Sequence, residues 1–224
     1  ILITDSSVIR LHDFLADTYP GCRTNHSKAS LKAHVVMSVT GKGKHTLKVT
    51  DGRYNDGKAF VIGSWIKGKL ALFDLGYYVY RNFLDIHQQG GFFISRLKTN
   101  ANPVIVHSNV TSKGNSTPVH EQPLQSVLSK LKRDTLDVTA RFDVGHGETT
   151  EFRVIALLNH EKGEYHLYVT NLPSEELNAD DIGTIYAFRW QIELMFREMK
   201  QYYRLEQMPS RRKEVVESLL YAAF

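Results

Sequence analysis

The sequence predicts an α/β fold: a mixed five-stranded sheet flanked by helices, with a β-rich insertion ahead of the last long helix. Three observations predict it. Short apolar runs bounded by turn residues alternate with helical patterns in the order β-β-β-α-β-α-β. Residues 101–171 then change character, rich in Asn, Ser, Thr and Pro at first and strand-like afterwards. Beyond them comes an amphipathic stretch of helical period whose polar side carries both acids and cations.

Taken in order, Ile1-Leu2-Ile3-Thr4 reads as a buried strand that stops at Asp5-Ser6-Ser7, and residues 8–19 as a short helix. Ala33 to Val39 and His45 to Val49 read as two further strands, in hairpin relation across the turn Gly41-Lys42-Gly43-Lys44. A weakly marked helix covers 57–66. Leu70-Ala71-Leu72-Phe73 is a fourth buried strand, ended by Asp74-Leu75-Gly76-Tyr77. Tyr78 to Gln88 is a helix closed by Gly90-Gly91, and Phe92 to Leu97 is the fifth strand. The insertion holds strands at Leu136 to Phe142, Glu151 to Leu158 and Tyr165 to Thr170. The long helix begins after Ser174 or Asn178, either of which can cap it, with Asp180 and Asp181 in the first turn.

Strands one to three suit an antiparallel meander. A helical crossover then brings strand four parallel to strand one and beside it. In that arrangement Asp5 and Asp74 end neighbouring buried strands, where α/β sheets place their sites. The expected organisation is a core in two parts, residues 1–100 and 172–224, interrupted by the insertion at 101–171. The chain opens inside an apolar run and stops within a helical pattern, Leu219 to Phe224, so it reads as a piece of a longer protein.

Composition narrows the function classes. The 224 residues are 42% hydrophobic and 23% charged, which suits a globular domain with a sizeable core. No apolar run reaches the length of a membrane span, and no signal peptide is visible. The single cysteine, Cys22, excludes an internal disulfide and a cysteine-rich zinc site and fits a reducing compartment. The histidines His12, His26, His34 and His45 lack zinc-type spacing. The net charge of +4 permits a polyanionic partner. Its distribution says more: from Arg189 to Lys213 seven cations face three acids, Glu193, Glu198 and Glu206.

Within the long helix stands Tyr186-x-x-Arg189-x-x-x-Glu193, followed seven residues later by Lys200. At roughly 100° per residue these four side chains fall within about 60° of one another. Ile185, Phe188, Ile192, Met195, Phe196 and Met199 form an adjacent apolar stripe able to face a core. Arg197 and Arg204 extend the cationic stripe by further turns. If Asp5, Asp74 and Glu193 converge, they offer hard oxygen ligands of the kind Mg²⁺ prefers. Two such ions can activate a nucleophile and steady a leaving oxygen in phosphodiester cleavage, and Arg189 and Lys200 would hold phosphates beside them. Taken singly, an Asp after a buried strand is more often a turn or cap residue, and a Glu in a helical polar stripe more often solvated or paired.

The whole chain resembles the catalytic core of bacterial and archaeal insertion-sequence transposases of the DDE type, in the cut-and-paste branch with a Tyr-Arg-Glu-Lys signature. The resemblance rests on Thr4-Asp5-Ser6-Ser7, Leu72 to Tyr77, Phe93 to Lys98, Tyr168 to Leu172, and Ile185 to Phe196 with Lys200 in register. It implies a ribonuclease-H-like fold with a β insertion between the second Asp and the Glu. It implies Mg²⁺ or Mn²⁺, two ions, on Asp5, Asp74 and Glu193. Tyr186, Arg189 and Lys200 would match positions that contact transposon-end DNA, with Arg197 and Arg204 as further phosphate contacts. The implied partners are double-stranded DNA, both inverted-repeat ends and target, and a second copy in a homodimer of the longer protein. The implied setting is the nucleoid of a prokaryotic cytoplasm, with no membrane. Related enzymes stack a Trp of the insertion on a flipped base; residues 101–171 hold none, and Tyr165, Tyr168 or His146 could substitute.

Two competing functions fit the same residues: a metal-dependent nuclease of the same fold that cuts without joining, and a non-catalytic DNA-binding remnant of a mobile element. Lys28, Lys32, Lys42, Lys44 and Lys48 straddle strands two and three, either railing a DNA groove or solvating a strand edge. Trp190 reads as a core-edge residue beside the basic stripe.

Overall fold

In the computed structural model, residues 1–22, 27–40, 46–109 and 119–224 are described. The turn expected at Gly41–Lys44, with His26 and His45, lies outside them. Along the chain run β1 (Leu2–Leu11), β2 (Ser30–Ser38), β3 (Thr46–Asp51), α1 (Asp56–Ala59), β4 (Leu70–Phe73), α2 (Tyr80–Gln88), β5 (Phe92–Arg96) and β6 (Val104–Ser108). Then come α3 (Leu124–Leu128), β7 (Thr135–Gly145), β8 (Glu148–Asn159), β9 (Glu164–Thr170), α4 (Ala179–Ala187), α5 (Trp190–Tyr203), β10 (Gln207–Met208) and α6 (Lys213–Ala223). The chain divides into two compact units, Ile1–Val61 with Phe188–Phe224, and Ile62–Ala187.

In the first unit, β1, β2 and β3 form the expected antiparallel meander. The first strand is longer than the sequence suggested. Asp5-Ser6-Ser7 does not end it, and residues 8–11 continue it instead of opening a helix; the only helical turn there is the short one at Asp13–Leu15. The reason is pairing: β1 and β2 stay in register from Leu2↔Ser38 to Arg10↔Ser30, and β-branched Val8 and Ile9 fit a pleated surface. Asp5 is therefore a mid-strand residue. On the side of β1 away from β2, the two-residue β10 pairs in parallel, Arg10↔Gln207 and Leu11↔Met208.

A core of Ile9, Leu11, Leu15, Tyr19 and Leu31 receives Met199 from α5, Leu205 and Met208 around β10, and Val216 and Leu220 from α6. Each fully buried aliphatic side chain here contributes roughly 1.5–3 kcal/mol. The helix expected over 57–66 shrinks to α1 and a turn at Ser64–Ile66.

In the second unit, β4 and β5 pair in parallel and are buried on both faces, which accounts for the continuous apolar runs that located them. Phe83 of α2 stacks on Phe93 with ring centroids 4.4 Å apart, and Phe93 meets Phe152 edge-on at 5.1 Å. The end of α2 follows the Gly90-Gly91 expectation: the Gly91 amide donates to Ile86 and the Gly90 amide to His87, with Gly90 at φ +70°. A side chain on Gly91 would meet Ile66 at 2.8 Å.

The insertion strands join this sheet, with β9 antiparallel to β5, then β8, β7 and β6 in sequence. Among the described residues the five expected core strands, β1 to β5, are present within a larger mixed set of strands, and the five-stranded detail is not confirmed; β6 and β10 were too short or too polar to read.

The largest departure is the last long helix, which is two helices. The chain breaks at Phe188–Arg189, where the Gln191 and Ile192 amides bond back three residues, to Phe188 and Arg189. Neither Gly nor Pro marks the break. Ala179, Ile182 and Tyr186 are the buried residues of α4, and Ile192, Phe196 and Met199 those of α5. The apolar stripe drawn through Phe188 fails at the break: Phe188 is 44% exposed. Of the two proposed caps Asn178 is used, since Asn178 and Asp181 exchange side-chain-to-amide bonds at 2.9 and 3.0 Å.

One buried ion pair ties the insertion to the approach of α4. Arg153 grips Asp137 through Nε at 2.9 Å and Nη2 at 2.6 Å, and its Nη1 reaches the Leu177 carbonyl at 2.8 Å. Breaking such a pair strands a buried charge. Asp137→Ala should cost about 3–5 kcal/mol, read as a lower denaturation midpoint, whereas replacing both residues with apolar ones should cost much less.

Candidate active site

The site is built in the first unit from one strand and one helix. Asp5 accepts the amide of Ser6 at 2.7 Å. The Ser6 hydroxyl donates to Asp56 at 2.8 Å, and Lys32 stands 3.2 Å and His34 3.5 Å from the same carboxylate oxygen. Lys32 also donates to the Tyr54 carbonyl at 2.8 Å, and His34 bonds Thr50 at 2.9 Å. The residue after Asp5 is thus braced by a polar layer spanning β2, β3 and α1. Sequence reasoning missed this layer and read Lys32 as a groove rail or an edge residue. The only signal available was the register that puts His34 opposite Ser6.

Across from β1, α5 turns its apolar face inward and its polar stripe outward. Glu193 sits in its first turn, where the helix dipole favours an anion. Arg189, just ahead of the helix, donates to Glu193 at 2.6 Å. Asp5, Glu193, Arg197, Lys200 and Arg204 line one open cleft of about 850 Å³. The spacing argument survives for this part of the stripe because it lies in one helix plus its cap.

Arg204 ends α5 in the left-handed conformation, φ +53°. That reversal leads the chain into β10 and brings Glu206 and Gln207 to the same cleft. An L residue held there costs roughly 1–2 kcal/mol, offset by the bond from the Arg10 amide to the Glu206 carbonyl.

Asp74 and Tyr186 belong to the second unit. Asp74 follows β4 directly, as expected, and its carbonyl accepts the Tyr77 amide at 3.0 Å. Tyr186 does not share a helix with Arg189, Glu193 and Lys200. It is buried, its ring packs on Tyr168 at 5.2 Å, and its hydroxyl donates to the Phe73 carbonyl at 3.1 Å. Tyr186 thereby fixes the backbone one residue ahead of Asp74. Tyr168 is buried as well, with Arg96 over its ring at 5.5 Å. Tyr165 donates to the Arg133 carbonyl at 2.6 Å, and His146 sits exposed at the β7–β8 turn. Trp190, expected at a core edge, is 54% exposed at the start of α5.

Among the described residues no three His, Cys, Asp or Glu side chains stand together as a ready metal cage. The donor chemistry of the first unit nonetheless fits a hard divalent cation. Two carboxylates, Asp5 and Glu193, face one open cleft, and the cations Arg197, Lys200 and Arg204 line its length.

Comparison with known proteins identifies the family. Residues 1–224 match the family model described as a transposase DDE domain. The chain is similar to the transposase for insertion sequence element IS231E of Bacillus thuringiensis subsp. finitimus, 24% identical over 257 residues, covering 99% of this chain and 53% of that protein. It is 25% identical to the IS231C transposase of B. thuringiensis subsp. berliner over 258 residues, with 99% and 53% covered. A putative transposase, y4zB, of Sinorhizobium fredii is 26% identical over 208 residues, with 90% and 52% covered. The chain spans about half the length of these curated relatives.

The polar layer makes a pH prediction. Burial pushes the His34 imidazole down to about 4, against the attraction of Asp56 and with help from Lys32 and Lys48. Its neutral form is favoured by folding, so its contribution is full above pH 6.5 and is lost as pH falls from 6.5 toward 4. The loss is on the order of 3 kcal/mol. Denaturant melts between pH 7.5 and 4.5 should show this decline in the parent chain and a shallower one in His34→Gln.

Proposed function

This chain belongs to the transposase DDE-domain family, and from that premise we propose that it is the catalytic core of an insertion-sequence DNA transposase. The observation that carries the reading is the cleft in which Asp5 and Glu193 lie together with Arg197, Lys200 and Arg204. The fold we assign is ribonuclease-H-like. Its reaction would be phosphodiester hydrolysis at transposon ends, followed by attack of the freed 3′-hydroxyl on target DNA.

In this reading Asp5, Asp74 and Glu193 would hold two divalent ions, Mg²⁺ or Mn²⁺. When bound, these supply Lewis-acid charge stabilisation and lower the pKa of the attacking hydroxyl or water. The chain's own residues do the rest. Arg197, Lys200 and Arg204 neutralise backbone phosphates along α5, Arg197 and Arg204 with bidentate forks and Lys200 as a point charge. Tyr186 acts by positioning the end of β4, and Arg189 by contacting DNA beside Glu193. The polar layer under Ser6 keeps β1 rigid where Asp5 stands. No side chain is assigned as a covalent nucleophile, since water and the DNA hydroxyl attack. The longer protein would act as a homodimer on double-stranded DNA in a prokaryotic cytoplasm, at the nucleoid.

The test uses the full-length protein and duplexes bearing its element's terminal repeat. Asp5→Ala, Asp74→Ala and Glu193→Ala should each lower cleavage by at least about 10³-fold, several kcal/mol of lost stabilisation, while leaving DNA binding within a few-fold. Pre-cleaved ends should be joined to target by the parent protein and not by these variants. Cleavage at parental rates in any of the three would overturn the assignment, and cleavage without joining in the parent would make the protein a nuclease.

A further inference from the structure

Arg189 and Glu193 form the shortest charge pair of the cleft helix, Nη2 to Oε1 at 2.6 Å, with side chains only 13% and 33% exposed. The four-residue spacing makes the two side chains neighbours. With the cation four residues ahead of the acid, the pair runs against the helix dipole and is the weaker orientation in an isolated helix. Here Arg189 stands outside α5, in the turn that separates it from α4, with φ −55° and ψ −29°. Its backbone is helical, so the four-residue spacing sets its guanidinium against the one carboxylate that α5 contributes to the cleft. Partial burial strengthens the attraction relative to an exposed pair.

A carboxylate held this way is poorly placed to bind a divalent ion, because an ion added there meets a fixed positive charge a few ångströms away. Arginine has a second natural partner in this cleft's chemistry: a DNA phosphate, which takes the same fork geometry. We infer that Arg189 is an exchangeable counter-ion for Glu193. Without DNA its guanidinium occupies the carboxylate; when a backbone phosphate enters, the guanidinium moves to it and Glu193 is released to the metal. The inference rests on the metal reading above. By linkage, DNA then tightens metal binding and the metal tightens DNA binding by the same factor. The device would keep cleavage chemistry from assembling before the substrate is seated.

The test is Mn²⁺ binding to the full-length protein, read by electron paramagnetic resonance, with and without a duplex from the element's terminal repeat. Mn²⁺ held by the duplex alone is subtracted. The parent should bind Mn²⁺ about tenfold more tightly with the duplex present. Arg189→Gln should bind about tenfold more tightly than the parent before any duplex is added, and gain less on adding it. Arg189→Met, which keeps the aliphatic stem, should do the same, and far-UV circular dichroism verifies the fold of each. Arg189→Lys retains the charge and should stay near the parent.

Folded Arg189→Gln or Arg189→Met proteins with Mn²⁺ affinity equal to or below the parent's would overturn the exchange, as would an equal gain from duplex in parent and variants. Glu193→Gln separates the two claims. If it binds Mn²⁺ as the parent does, the metal reading fails; if it loses Mn²⁺ while the Arg189 variants behave like the parent, only the exchange fails.

Discussion

Much of this molecule depends on where one helical run breaks. Ile182 and Tyr186 are buried on α4, and Ile192, Phe196 and Met199 on α5. The chain breaks between the two sets, at Phe188–Arg189. Each helix then anchors in its own unit. Tyr186 goes to the backbone beside Asp74, and α5 is left with its acid and its cations on the side away from the core.

From that break the properties of the cleft follow in order. Glu193 falls in a first helical turn, where an anion is favoured, and Arg189 falls just outside it, where it can reach the carboxylate. Arg197 and Lys200 come round on the same side at four and seven residues. The left-handed turn at Arg204 ends the helix and feeds β10 onto the edge of β1, so the strand that carries Asp5 is held from both sides. Asp56 gathers Ser6, Lys32 and His34 into a polar layer next to Asp5.

What the sequence disclosed, it disclosed through periodicity. The buried strands β4 and β5 and the meander were legible as apolar runs, and the end of α2 as a Gly-Gly pair with its own hydrogen-bond pattern. The acids Asp5, Asp74 and Glu193 were legible as polar residues in or at the ends of apolar elements. Three features were not. Asp5-Ser6-Ser7 looks like a strand end because local polarity signals a stop, yet cross-strand pairing with His34 and Ala33 carries β1 through it. The break at Phe188–Arg189 carries no Gly or Pro, so it leaves no mark in the local code. The layer around Asp56 unites residues far apart in the chain, and no spacing rule reaches it.

The central claim is that Asp5 and Glu193, brought to one cleft by β1 and α5, are ligands of a divalent ion. Anomalous scattering from crystals of the full-length protein grown with terminal-repeat DNA and Mn²⁺ tests it most directly. The account requires a manganese peak within about 2.0–2.4 Å of a carboxylate oxygen of each. Well-ordered crystals whose manganese peaks lie elsewhere, with both carboxylates uncoordinated, would contradict it.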